Sequence, residues 1–141
     1  MKKMVLVILS FLLYACGEKD NLPKYVSSAK TDIRNAIVAN IIRNPDFKCE
    51  AIQDKETSIW TLGCFSRKQS GILSPFILFS IVEDQKQTNP PFKYKIFSLN
   101  EEAMQYAENE HLQMFKIKTD YSSKINIDNL IKQYLELSNS Q

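Results

Sequence analysis

The chain has 141 residues and a formal net charge of +2, with 44% hydrophobic and 24% charged residues, a composition typical of one globular domain. This balance excludes a collagen-like chain, a long coiled coil, a polytopic membrane protein and a highly charged disordered chain. The sequence contains three glycines and one histidine, so a glycine-rich phosphate loop or a site with several histidine ligands is hard to build.

The first sixteen residues have the organisation of a secretory leader. Lys2 and Lys3 precede residues 4–15, an apolar run of twelve residues in which only Ser10 is polar. A helix that spans a bilayer needs about twenty apolar residues, so this run is too short to cross one and has the length of a signal-peptide core. The alternative, a buried N-terminal helix, is disfavoured because soluble domains rarely begin with a basic pair and an unbroken apolar block.

The apolar run ends in Leu13-Tyr14-Ala15-Cys16. This tetrapeptide resembles the lipobox of bacterial lipoproteins, in which a leucine, a variable residue and a small residue precede a cysteine. The resemblance implies cleavage before Cys16, a diacylglycerol on its sulfur and a fatty acid such as palmitate on the new amino group. Because Gly17 rather than an aspartate follows the cysteine, the resemblance also implies an outer-membrane destination, if the host is a diderm bacterium.

Loss of the leader changes the charge balance of the chain. Without Lys2 and Lys3, sixteen basic side chains balance sixteen acidic ones, so the basic footprint of a nucleic-acid-binding protein is missing. We therefore expect no nucleic-acid partner. The expected partners are the membrane, held through the N-terminal lipid, and another protein of the envelope.

These features divide the chain into four segments. They are a signal peptide at residues 1–15, the lipidated cysteine with a polar tether at 16–26, a folded periplasmic domain at 27–137 and a polar tail at 138–141 that should fray.

The folded domain opens with a predicted amphipathic helix over residues 28–44. Its apolar stripe is marked by isoleucines at four-residue spacing, Ile33, Ile37 and Ile41. Ser27 or Ser28 can cap the start of this helix, and Pro45 ends it because the residue before a proline avoids the helical conformation. Such a stripe could bind a partner, but it more often packs into a core.

The cysteine count predicts one disulfide. If lipid modifies Cys16, only Cys49 and Cys64 remain, and two thiols in the oxidising periplasm are expected to pair. Two buried free thiols are the alternative. We expect no metal, because two cysteines and one distant histidine do not complete a tetrahedral zinc site.

The residues around these two cysteines predict an antiparallel hairpin. Apolar and polar residues alternate on both sides of each cysteine, as in half-buried strands. Pairing Cys49 with Cys64 places Ala51 opposite Leu62 and keeps the apolar sets on one face. Strict pairing would leave a two-residue turn without Gly or Asn, so we expect a longer loop or a bulge near Gly63.

Two further strands follow the hairpin. Residues 75–83 are nearly all apolar and predict a central strand that is covered on both faces. Residues 84–92 form a loop, and residues 93–99 predict a fourth strand with Tyr94 and Ile96 on one face.

The C-terminal part is predicted to be mainly helical. A second helix, capped by Ser98 or Asn100, should end near His111. Residues 113–119 fit either a fifth strand or a continuation of that helix, and a last amphipathic helix begins near Ile127. The whole pattern predicts a small α+β domain with a mainly antiparallel sheet of four to five strands, an N-terminal helix, one or two C-terminal helices and one disulfide.

No catalytic constellation stands out. His111 lies on the surface of a predicted helix, and no nucleophile-elbow pattern accompanies it. The acidic pairs Glu101-Glu102 and Glu108/Glu110 could in principle supply the two carboxylates of a glycosidase, but a solvated helix face is the simpler interpretation. Trp60 is expected to pack beside the disulfide. We expect no catalytic residue and no cofactor.

The expected function is therefore interaction. An outer-membrane lipoprotein with a small periplasmic domain is predicted to act as a non-enzymatic accessory subunit of a secretion, conjugation or assembly system. The alternative is a protective lipoprotein, such as an immunity factor, an exclusion factor or an inhibitor of a lytic enzyme. An inhibitor would present a rigid loop, for which residues 67–71 with Arg67 and Lys68 are the candidate partner-binding residues.

Overall fold

The computed structural model describes residues 21–67, 75–120 and 123–139. Their elements in chain order are α1 (Lys24–Ile37), a π-helical turn (Val38–Ile42), β1 (Lys48–Gln53), β2 (Trp60–Phe65), β3 (Ile77–Glu83), β4 (Tyr94–Ser98), α2 (Glu101–Ala107), a 3-10 helix (Glu110–Phe115), β5 (Lys118–Thr119) and α3 (Ile127–Asn139). This confirms the α+β class. No helix within the described ranges is long and apolar enough to cross a membrane.

The strands form one sheet in the order β1-β2-β3-β4-β5, antiparallel except for the parallel pair of β4 and β5. The predicted hairpin register is confirmed, with Cys49 opposite Cys64, Ala51 opposite Leu62 and a disulfide joining the two cysteines. Of the two predicted ways to connect the strands, the structure has the longer loop, whereas Gly63 pairs regularly with Glu50 and forms no bulge.

Helix α1 covers one face of the sheet. Its apolar stripe packs on the disulfide and on the inward side chains of β2, β3 and β4. The fully buried members of this cluster include Ala29, Ile33, Ile37, Leu62, Cys64 and Phe79. A polar contact ties the helix to β4, because the Tyr94 hydroxyl donates a 2.7 Å hydrogen bond to Asp32 Oδ2. Burial, followed by this contact with Asp32, raises the pKa of the Tyr94 phenol above its ordinary value.

Helix α3 covers part of the opposite face. Its buried cluster takes strand residues from β1, β2 and β3, and consists of Phe65, Phe76, Leu78, Ile125, Leu130 and Tyr134 with partly buried residues that include Ile52 and Leu99. Tyr134 is fully buried, and its hydroxyl lies 2.8 Å from Thr61 Oγ1 and donates to the Glu50 carbonyl at 3.2 Å. Strand β3 is therefore covered on both faces, as predicted, over its first five residues.

Helix α1 begins four residues earlier than the sequence analysis placed it. It starts at Lys24, inside the segment predicted to be tether, and Pro23 precedes it without any capping side chain. The predicted caps, Ser27 and Ser28, lie within the helix. Two factors explain the early start: the fixed φ of proline suits a helix N-terminus, and Val26 is fully buried.

The segment after β4 is divided into secondary-structure elements differently from the prediction. Asn100, not Ser98, caps α2 by accepting from the Ala103 N–H at 3.0 Å. Helix α2 ends at Ala107, before His111, because the Asn109 side chain caps a separate 3-10 helix. Residues 113–119 therefore divide between the two predicted alternatives: the 3-10 helix ends at Phe115, and the short fifth strand β5 follows at Lys118–Thr119.

The predicted polar tail starts too early. Helix α3 continues through Asn139, and Ser138 is buried. Arg67 helps to hold the last turn of this helix. Its Nη2 donates to the Ser138 carbonyl at 3.2 Å and so satisfies a carbonyl acceptor that has no partner within the helix. Residues 140–141 lie outside the described ranges.

Gly63 provides a test of the packing between the sheet and α3. A Cβ atom at this position would lie 2.7 Å from the Tyr134 ring, and that ring is held by burial and hydrogen bonds. We predict that Gly63→Ala lowers the free energy of unfolding by about 1–3 kcal/mol through overpacking, although alanine is otherwise favoured over glycine in a strand by about 0.5–1 kcal/mol.

Urea unfolding of the two variants and their combination measures this effect. In a Tyr134→Leu background, Gly63→Ala should cost clearly less, because the ring that it meets is gone. An equal cost in both backgrounds would show that the Tyr134 ring does not require glycine.

Candidate functional site

The structure describes only part of the predicted site. Cys16 and Lys68 lie outside the described residues, as does most of the 67–71 loop. Cys49 and Cys64 form a buried disulfide, which is a structural role. The Arg67 guanidinium donates a hydrogen bond to the C-terminal end of α3. Arg67 is also exposed to solvent, so it has a structural contact and an accessible surface.

His111 has an exposed position in the 3-10 helix. Its Nε2 lies 3.6 Å from Glu110 Oε1, and the side chains are 44% and 88% exposed respectively. Glu101 and Glu102 are in the first turn of α2, where negative charge stabilises the helix dipole. Trp60 is half-buried at the end of β2, where it pairs with Ile81. The structure thus places His111 at the surface, beside Glu110.

Part of the sheet face that carries α3 lies outside the buried cluster of this helix. Among the described residues, that cluster includes residues of β1, β2 and the beginning of β3 together with Leu99 after β4, and it does not include Val82, Lys95 or Phe97. Val82 at the end of β3 is 46% exposed, and its register partner on β4 is Lys95. Phe97 lies two residues further along the same face and pairs with Lys118 of β5. We call these four residues, Val82, Lys95, Phe97 and Lys118, the open corner.

A cavity of about 310 Å³ lies at this corner. It is lined by Thr88, Asn89, Lys95, Ile96, Phe97, Lys116 and Lys118. Three of these residues are lysines and none is acidic, so we call it the lysine cavity. None of the three lysines forms a salt bridge with an acidic side chain in the part of the chain that the structure describes.

The sheet register brings the lysines together. Lys95 and Phe97 share a face because side chains alternate along a strand, with a spacing of about 3.3 Å per residue. The parallel pairing of β5 adds Lys118 beside Phe97. Lys116 has a left-handed backbone, with φ at 52°, where the 3-10 helix ends and the chain turns towards β5.

The other wall of the cavity is the loop between β3 and β4, which Asp84 organises. Asp84 Oδ1 accepts from the Thr88 N–H and hydroxyl at 3.1 and 2.8 Å, and Oδ2 accepts from the Asn89 N–H at 2.7 Å. Burial alone would raise the pKa of Asp84, but the hydrogen bonds from Thr88 and Asn89 and the charge of Lys95 together hold that pKa below its ordinary value. The carboxylate is therefore charged and fixes both residues.

Asn89 carries an unused acceptor. Its side-chain amide donates to the carbonyls of Tyr94 and Phe115 at 3.1 and 3.3 Å, which fixes the orientation of the amide. Its Oδ1 is buried and accepts no hydrogen bond from any described residue. An unpaired buried acceptor of this kind costs about 1–3 kcal/mol, so a donor that reaches Asn89 Oδ1 would stabilise the protein.

A second cavity of about 410 Å³ lies near the start of α1. Its lining combines Lys24 and Lys93 with Glu83 and Asp84, together with Tyr25, Ser28, Gln85 and Gln87. Because the opposite charges are equal in number, this cavity favours no ligand of one charge sign. The lysine cavity is the more selective site.

No protein-family model matches this chain, and no curated protein or solved structure is detectably similar to it. Across residues 21–67, 75–120 and 123–139, no group of three His, Cys, Asp or Glu side chains is placed to hold a metal ion. The candidate site therefore depends on the geometry of the chain itself.

The lysine cavity cannot be predicted from the sequence alone. Lys116 and Lys118 have the spacing of one strand face, but their segment fits helix and strand equally well. Lys95 is far from them in sequence, and only the β4-β5 pairing makes them neighbours.

The charge of Asp84 predicts a dependence of stability on pH. Because the folded pKa is lowered, the stabilisation is complete above the unfolded pKa of about 4 and is lost as the pH falls through the folded value. We expect Asp84→Asn to lower the unfolding midpoint at pH 7, and the difference from the unaltered protein to shrink as the pH is lowered towards 2.

Thermal unfolding between pH 7 and pH 2 measures this effect, and Asp46→Asn is the matched control, since Asp46 is exposed in the connection between α1 and β1. If Asp84→Asn and Asp46→Asn were equally stable at pH 7, Asp84 would not hold the loop through its charge.

Proposed function

We propose that this protein is a lipid-anchored, non-enzymatic binding protein of the bacterial envelope, with its folded domain facing the periplasm from the outer membrane. It acts as an interaction or accessory subunit, and the open corner of the sheet is its binding surface. The lipobox-like residues before Cys16 support the anchor. The folded domain supports the binding function.

The open corner is the observation that carries this proposal. A sheet face buries its apolar side chains where a helix covers it, yet Val82 remains exposed and Phe97 belongs to neither core cluster of the described residues. Three lysines border the same surface. Aromatic side chains with a polar rim are typical of surfaces that bind another molecule.

Anchoring strengthens such an interaction without new contacts. Each buried methylene of an acyl chain contributes about 0.8 kcal/mol, and two or more chains give a stable anchor. A domain held at the membrane also meets envelope components at a raised effective concentration. A weak binding site at the open corner is then sufficient for function.

The anchor is tested by fatty-acid labelling and membrane fractionation of the Cys16→Ser variant. We expect this variant to incorporate no labelled fatty acid and to leave the membrane fraction at high salt, because the thiol that takes the lipid is gone. The domain should keep the Cys49–Cys64 disulfide. Label retained on Cys16→Ser would contradict the anchor.

The residue after the cysteine tests the destination. Gly17→Asp should move the protein from the outer to the inner membrane fraction, and Gly17→Ala should leave it in the outer membrane.

His111→Ala is expected to leave the biological activity intact. Loss of activity in His111→Ala, with fold and location unchanged, would indicate an enzyme and contradict the binding function.

A further inference from the structure

We propose that the lysine cavity binds a phosphorylated polyol, that is, a phosphate ester on a carbon chain that carries hydroxyl groups. This inference rests on the proposed function, because it names the chemical class that the open corner binds.

The charge of the cavity selects an anion. Lys95, Lys116 and Lys118 line it, and no acidic residue does so among the described residues. Asp84, the acid that acts on Lys95, already accepts three hydrogen bonds. Lysines act as point charges with freely oriented donors, which suits the oxygens of a phosphoryl group, whereas a planar carboxylate is better matched by the fork of an arginine. Three lysines on one cavity favour a group that carries two negative charges.

The loop wall of the cavity selects hydroxyl groups. Asn89 Oδ1 is an unused, buried acceptor. The neighbouring Thr88 hydroxyl gives its proton to Asp84, so it can only accept from a ligand. Thr88 and Asn89 both line the cavity, so a ligand that carries O–H donors offers partners for these two acceptors, whereas inorganic phosphate has no carbon-bound hydroxyls.

Phe97 supplies the wall for the carbon chain. It is half-buried, lies between Lys95 and Lys118 in the sheet and joins neither core cluster of the described residues. The C–H faces of a polyol pack on an aromatic ring while their hydroxyls point away. A cavity of about 310 Å³ is at the small end of ligand sites, which fits a glycerol phosphate or a single sugar phosphate.

Two sources supply this chemistry. A soluble phosphate ester and the headgroup of a phosphatidylglycerol lipid share a phosphoryl group beside glycerol hydroxyls. The lipid anchor places the domain close to such headgroups, so the experiment has to separate the two sources.

Nuclear magnetic resonance of the full lipidated chain in phosphatidylcholine nanodiscs tests the inference. Titration with glycerol 3-phosphate should give saturable amide shifts at Lys95, Phe97 and Lys118. Lys118→Gln or Lys95→Gln should weaken the affinity about tenfold, as expected when one charge-assisted contact is lost. Lys132→Gln, on the exposed side of α3, is the matched control and should change nothing.

Simple analogues test the two halves of the ligand. Ethyl phosphate, which lacks hydroxyls, should bind more weakly than glycerol 3-phosphate, and glycerol at the same concentration should give no saturable shift.

In phosphatidylglycerol nanodiscs, the same amide shifts without added ligand would support the lipid source. Their absence there, with binding of the soluble ester, would support the soluble source.

Unsaturable shifts, or equal affinities for Lys118→Gln and Lys132→Gln, would overturn the inference. So would equal binding of ethyl phosphate and glycerol 3-phosphate, because the acceptors on Thr88 and Asn89 would then have no part in recognition. These outcomes leave the lipid label on Cys16 unchanged, so the inference can fail while the proposed envelope function stands.

Discussion

The contact between Tyr134 and Gly63 determines how the two layers of this protein fit together. The ring of Tyr134 occupies the space where any other residue at position 63 would carry its Cβ, and its hydroxyl lies against Thr61 and the Glu50 carbonyl. These contacts hold α3 over β1 and β2. Because the helix is held at that end of the sheet, its buried cluster includes no residue of β4 or β5 among the described residues, and the open corner lies beyond it.

The cavity at that corner needs a second constraint, which Asp84 supplies. A loop that follows a central strand has many backbone groups to satisfy, and the buried carboxylate accepts from Thr88 and Asn89 at once. Asn89 is then able to bridge β4 and the 3-10 helix through its amide. One charged side chain thereby places the acceptors of the cavity opposite lysines that come from two other parts of the chain.

Much of this fold was predictable from local pattern. The alternation around Cys49 and Cys64 indicated both the disulfide and the register, because a slip of one residue would move every apolar side chain to the wrong face. The apolar run that became β3 predicted a strand covered on both faces. The start of α1 and the end of α3 lie beyond their predicted bounds because Val26 and Ser138 are buried in the folded chain, which local pattern does not reveal. The lysine cavity is not predictable because the β4-β5 pairing joins residues that are far apart in the sequence.

We propose that the open corner, and not the helix-covered part of the sheet, meets the envelope partner. Site-specific photo-crosslinking in living cells tests this proposal most directly, with benzoylphenylalanine in place of Val82 or, as a matched control, Leu135 of α3, which are 46% and 39% exposed. An ultraviolet-dependent adduct is expected from position 82 and none from position 135. An adduct from position 135 alone would contradict the proposal.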